Sequence, residues 1–173
     1  MDIENMDYNE KLELADNTNT PIDVLRKLAK DAHYGIRGKV ATNPNTAEDV
    51  LRELVKDNER WVEEKVARNP NTPEDLLQSL AKNGHGSIRA RVSQNPNTPI
   101  AVLRDLAKDY HWDIRRNVAK NPNATGKLLV TLFEYEKTLK IPMEDVIRTI
   151  YLNEKLPEFA KRVIETLFGK MLD

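Results

Sequence analysis

Apolar positions along the chain fall into two short registers that alternate and recur every 26 residues. The first is a stripe such as Val24, Leu25, Leu28 and Ala29, one face of a 3.6-residue helix. The second is a pair four apart: Ile36 and Val40, then Val62 and Val66, Ile88 and Val92, Ile114 and Val118. The stripe predicts a helix A of about ten residues and the pair a helix B of about two turns, 3₁₀ in part. Polar punctuation lies between them. Asn-Pro-Asn starts at Asn43, Asn69, Asn95 and Asn121, and Asn17-Thr18-Asn19 opens the series in the same phase. Proline disfavours helical geometry in the residue before it, so each Asn-Pro should end a helix B.

The start of helix A reads Thr20-Pro21, Thr46-Ala47, Thr72-Pro73 and Thr98-Pro99, with Asp23, Asp49 and Asp75 three residues after the threonine and Ala101 in the fourth copy. Threonine as N-cap, proline at the first helical position and an acid completing the box are the expected roles. Helices this short are marginal alone in water, so each repeat must bury its stripe against its neighbours. The prediction is an all-α helical repeat solenoid of four 26-residue two-helix repeats over residues 17–123. Residues 1–16, with Leu14 and Ala15 in the phase of a helix B end, read as a partial repeat forming an N-terminal cap. In residues 124–173 the phase changes, but helical spacing continues through Leu128, Leu129, Leu132 and Phe133, restarts after Pro142 with Val146, Ile147 and Ile150, and restarts after Pro157 with Phe159, Val163 and Leu167. Three helices forming a C-terminal helical cap are expected there.

The block Asn-Pro-Asn-Thr-Pro, Val-Leu, Leu-Ala-Lys-Asp, Ile-Arg and Val-Ala resembles the leucine-rich repeat variant family, itself similar to HEAT-like solenoids, across residues 17–123. The resemblance implies stacked short helices and no general catalytic activity. Some members of that family carry a cysteine-ligated iron-sulfur module, whereas this chain has no cysteine. The same absence excludes disulfides, thiolate zinc sites and a cysteine nucleophile. HEAT-like repeats also place an Asp and an Arg six residues apart in an inter-repeat ladder. That role passes to Asp31, Arg37, Arg89, Asp109 and Arg115, while Glu63 and Asn83 break the pattern and leave Asp57 without its Arg six residues on.

Charge changes the picture only modestly. The formal net charge is −1, but residues 1–16 hold six acids against one base and residues 17–120 hold 18 bases against 14 acids. A tract built for phosphate would carry a larger excess. The acidic start lacks the basic and apolar regions of a secretory leader, and no apolar run approaches the ~18 residues of a membrane span, so the expectation is a cytoplasmic protein without membrane contact.

Candidate surfaces come from columns of the repeat. Arg26, Arg52 and Arg104, with Lys30, Lys56, Lys82 and Lys108, line the exposed side of helix A, and Gln78 interrupts the arginine row. Such cations suit the negative end of a helix, with Asp23, Asp49 and Asp75 toward the positive end, and together they form a basic stripe. Trp61 and Trp112 lie near the turn between the helices, either as binding hot spots or as plugs of that corner. The asparagine columns read as turn-satisfying side chains. His33, His85 and His111 share one column, which repeat duplication explains better than a metal site, because packed helices stand roughly 8 to 10 Å apart. Asn123-Ala124-Thr125 fits a glycosylation acceptor only by chance.

No nucleophile, base and orienter form a set, and no catalytic residue, cofactor, metal or small-molecule substrate is indicated. The function expected is a non-enzymatic scaffold that binds a protein or peptide, acidic in character. Nucleic acid bound through the basic rows is the alternative.

Overall fold

The computed structural model describes residues 3–57 and 59–172, apart from the side chain of Met171. Among the described residues there are twelve α-helices, one short 3₁₀ helix and no strand, and the fold is an all-α helical repeat of the solenoid type. None of these helices is long and apolar enough to cross a membrane.

The chain divides into two compact units, Met1–Leu80 and Ala81–Asp173. The first contains α1 (Tyr8–Asp16), α2 (Ile22–Leu28), α3 (Tyr34–Thr42), α4 (Glu48–Leu54), α5 (Arg60–Arg68) and α6 (Glu74–Leu80). The second contains α7 (Gly86–Gln94), α8 (Ile100–Leu106), α9 (Trp112–Lys120), α10 (Gly126–Thr138), α11 (Glu144–Tyr151) and α12 (Glu158–Phe168), then the 3₁₀ turn Gly169–Met171. Even-numbered helices are the A helices of the repeat and odd-numbered helices the B helices.

The lengths expected from the sequence are reversed. Each A helix has seven residues in the 26-residue repeats and each B helix nine, all α. Helix A is shortened because its last turn tightens into i→i+3 bonds, Lys30 to Lys27 and Asp31 to Leu28, so the end of the apolar stripe lies in a turn. Helix B runs the full distance to Asn-Pro and stops at Asn43, whose φ of −68° and ψ of 127° are extended, as proline requires of the residue before it.

The threonine role also differs. The residue preceding helix A is Pro21, Ala47 or Pro99, with no side-chain cap. The buried threonine donates its hydroxyl backward, Thr20 to the carbonyl of Leu14, Thr46 to Val40, Thr72 to Val66 and Thr98 to Val92, at 2.5 to 2.6 Å. It closes the C-terminus of the preceding B helix, where orphan carbonyls need donors. The capping box that does form is at α1, where Asp7 accepts from the Glu10 N–H and Glu10 accepts from the Asp7 N–H.

Packing is uneven between the two helix types. In the first unit α3 packs on α1 and α5, in the second α9 packs on α7 and α11, and the A helices α2, α4, α8 and α10 rest on the B helices α3, α5, α9 and α11 of their own repeats. The core is the seam between the rows, with Leu25, Leu51, Ile36 and Val62 at 1% exposure or less in the first unit and Leu103, Ile88 and Ile114 fully buried in the second. Burying side chains of this size contributes about 1.5–3 kcal/mol each, which is what short helices lack alone.

The three C-terminal helices are present, and the first two repeat the A–B arrangement: α10 packs against α11, and α11 packs on α9 as α9 packs on α7. The stack therefore continues past the last Asn-Pro-Asn.

Candidate partner-binding surfaces

The asparagine columns are tied into the backbone. The Asn43 side chain donates to the carbonyls of Ala15 and Asn17 and accepts from the Asn45 N–H, all at 2.9 Å. Asn69 does the same toward Ala41, Asn43 and Asn71, and Asn121 toward Ser93, Asn95 and Asn123. These amides are engaged in joining a repeat to the one before it, which agrees with the turn-satisfying role.

The Asp–Arg ladder forms with a register the sequence leaves implicit. Each Arg bonds the acid of the following repeat: Arg37 to Asp57 at 2.6 and 3.0 Å, Arg89 to Asp109 at 2.6 and 3.1 Å. The relation six residues apart is different, because Arg37 donates to the Asp31 carbonyl, Arg89 to that of Asn83 and Arg115 to that of Asp109. The acid in turn accepts the N–H two residues on, as Asp57 does from Glu59 and Asp109 from His111. Hydrogen bonds from Arg37 hold the Asp57 carboxyl below its usual range against the burial that would raise it. Two rungs escaped the sequence reading. Lys11 of α1 stands in the arginine column and pairs with Asp31 at 3.0 Å, and Glu136 of α10, fully buried, takes Arg115 and the Met143 N–H.

The histidine column belongs to the same turns. Nδ1 of His33 accepts from the Gly35 N–H at 3.0 Å, and its ring lies 4.6 Å from that of Tyr8 and 5.2 Å from that of Tyr34. Among the described residues no three His, Asp or Glu side chains come together as metal ligands.

The proposed basic stripe is split by partners. Arg26 bonds Asp49 of the next A helix and Asp23 of its own, and Arg52 bonds Asp75 and Glu48. These guanidiniums hold Asp49 and Asp75 below the usual carboxylate range. Lys30, Lys56, Lys82, Arg104 and Lys108 are exposed and make no salt bridge among the described residues. Arg104 stands free where Ala101 and Lys127 replace the acids of the column. Arg26, Lys30, Arg52 and Lys56 belong to the first unit and Lys82, Arg104 and Lys108 to the second.

The two tryptophans have different surroundings. Trp61 lies on α3, with its ring against Gly38 so closely that a Cβ there would stand 1.7 Å from it. Tyr34 meets the same ring edge-on at 5.9 Å, and Lys65 lies 4.7 Å above it. Trp61 therefore fills the corner between α3 and α5 while keeping 38% of its surface exposed. Trp112, at the start of α9, is equally exposed and has no aromatic partner among the described residues.

Solvent-facing columns vary between repeats in both rows. On the A helices one column stays alike, Lys30, Lys56, Lys82 and Lys108, while another differs, Lys27, Glu53, Ser79 and Asp105. On the B helices they differ: Tyr34, Arg60, Gly86 and Trp112 at the start, and Thr42, Arg68, Gln94 and Lys120 at the end.

Neither the curated proteins nor the solved structures gave a match to this chain. Residues 87–138, from α7 into α10, match the model of the Leucine Rich Repeat Variant domain, the family that the residue columns resemble.

Proposed function

We propose that the chain is a non-enzymatic scaffold that binds a protein or peptide on its B-helix row. The exposed Trp112, in a B-helix column that differs from copy to copy, carries this reading. Positions that recur every 26 residues are engaged inside the stack, by Asn43, Thr46 and Arg37 and their equivalents. The exposed B positions, including Trp112, are free of that role and differ from copy to copy. A surface that must fit one irregular partner needs a different side chain at each step, whereas a purely structural surface does not. The shifts of the ladder carboxylates Asp57 and Asp109 are accounted for by burial, by their arginines and by backbone N–H groups, as expected of a structural ion pair.

The test is capture by the full chain from a lysate of its native cells, with and without nuclease, followed by cross-link mapping. The expected result is a stoichiometric protein partner that survives nuclease, cross-links to B helices, and is retained by the double variant Lys56→Glu, Lys108→Glu. Capture abolished by nuclease and by that charge reversal would replace this reading with nucleic-acid binding through the A-helix cations.

A further inference from the structure

Between the C-terminal halves of α9 and α11, both in the second unit, lies an open cavity of about 400 Å³. Three cations line it, Arg116, Lys120 and Arg148, against one acid, Asp145. None of the three forms a salt bridge among the described residues. This is unlike the next column, where Arg115 is buried against Glu136. Adjacent residues of one helix thus send one guanidinium into the ladder and the other to the B-row surface.

Arg116 is the most informative of these side chains. Its Nε is buried and has no hydrogen-bond partner. A charged donor removed from water without an acceptor is costly, and an anion beside this guanidinium offsets part of that cost. Lys120 and Arg148 occupy the last turns of α9 and α11, where the negative helix end favours a cation. Asn153, also at the cavity wall, is already engaged with the Ala119 carbonyl and the Lys155 N–H. Leu152, 70% exposed, adds an apolar rim.

We infer that this groove holds the carboxylate side chains of an acidic peptide segment that also presents an apolar residue to Leu152. The inference rests on the scaffold reading above and names its site and partner chemistry. Guanidinium forks suit carboxylate and phosphate alike. The surroundings favour the peptide: duplex or single-stranded nucleic acid needs a run of neutralised phosphates, while here Asp145 lines the cavity and the exposed Asp113 shares the α9 surface. The cavity is of side-chain size and has an apolar edge, which fits a carboxylate beside an aliphatic group.

The experiment titrates isotope-labelled full chain with the capped peptide acetyl-Gly-Glu-Glu-Leu-Glu-Gly-amide, and separately with inorganic phosphate and with single-stranded oligothymidylate, following backbone amides by NMR. Saturable shifts confined to the facing halves of α9 and α11 are expected for the peptide. They should weaken at least about tenfold in Arg116→Gln and in Arg148→Gln, whose amide spectra and melting curves establish that they fold. Lys56→Glu, in the first unit, should leave the affinity unchanged. The inference is overturned by absence of saturation up to ~10 mM peptide, by unchanged affinity in the exposed-site variant Arg148→Gln, or by phosphate binding as tightly as the peptide. Tighter oligothymidylate binding, with log K falling by about 0.7 per phosphate contact against log salt, would instead assign the groove to nucleic acid. A native protein partner indifferent to Arg116→Gln and Arg148→Gln would remove the groove and leave the scaffold reading, whereas failure to capture any protein would remove the scaffold reading itself.

Discussion

Asn153 donates from its side-chain amide to the carbonyl of Ala119, 34 residues earlier, at 2.8 Å. Asn121 makes the equivalent bond to Ser93, 28 residues earlier, at 2.9 Å. Both side chains also accept the N–H two residues on, Asn153 from Lys155 and Asn121 from Asn123. The Lys155 ammonium even reaches the Pro122 carbonyl, as the Asn123 amide reaches that of Pro96. An insertion of six residues has therefore been absorbed within α10, α11 and their connection without disturbing the bonds that join one B helix end to the next.

Replacing Asn153 by alanine should accordingly destabilise the stack, though less than replacing Asn121 does. Asn153→Ala leaves one carbonyl and one N–H without partners, an effect of about 1–3 kcal/mol, and Asn121→Ala leaves two carbonyls and one N–H. Urea denaturation of the two single variants measures it. A loss at Asn153 of under about 0.5 kcal/mol, the level of ordinary surface changes, would mean that α11 is not locked to α9 through this residue.

Thr72 separates two roles for its hydroxyl. As an N-cap it would accept, and aspartate would serve as well or better. As a donor to Val66 it can be replaced by serine but not by aspartate, which would set a carboxylate against the carbonyl it now satisfies at 2.5 Å. Thr72→Asp should therefore destabilise the chain by about 1–3 kcal/mol and Thr72→Ser far less. Equal stability of the aspartate variant, measured by chemical denaturation, would restore the capping role.

These residues also mark how far the fold could be read beforehand. The 26-residue period, the two helices per repeat and the asparagine role were legible because identical side chains recur at identical steps. Asn153 was not, because the insertion moved it out of phase and Leu156 occupies the place of the threonine. Lys11 was missed for another reason: it lies in phase, but lysine stands where the other copies have arginine or glutamate. The charge of the basic stripe was legible, yet its neutralisation was not, because the acids that engage Arg26 and Arg52 come from the following repeat, 23 residues on. The groove at Arg116 had no sequence signal, since adjacent arginines on one helix do not reveal which one turns into the ladder.

The ladder itself makes stability depend on acid pH, with a sign that can be worked out. Burial raises the Asp109 pKa, while hydrogen bonds from Arg89 and the His111 N–H lower it, and the net position is below the usual carboxylate range. A folded pKa below the unfolded value of about 3.9 means that the pair stabilises the fold at pH above that value and that this contribution is lost as pH falls through the folded pKa. Asparagine is the informative replacement. Asn83, in the same column, already accepts the N–H of His85 in the way Asp109 accepts that of His111, so Asp109→Asn keeps the turn and removes only the charge. Arg89, whose side chain is 8% exposed, would then be buried without its counter-ion, held by the carbonyls of Asn83 and Gly84. Removing one partner of a buried pair typically costs 3–5 kcal/mol, and with those carbonyls retained the loss at pH 7 should be about 3 kcal/mol. Between pH 5 and about pH 2 the gap between the two proteins should shrink, as protonation turns Asp109 into a neutral group like the asparagine. A difference in urea midpoint that is the same at pH 7 and at the acid end would show that the carboxylate of Asp109 is not the charged partner of Arg89.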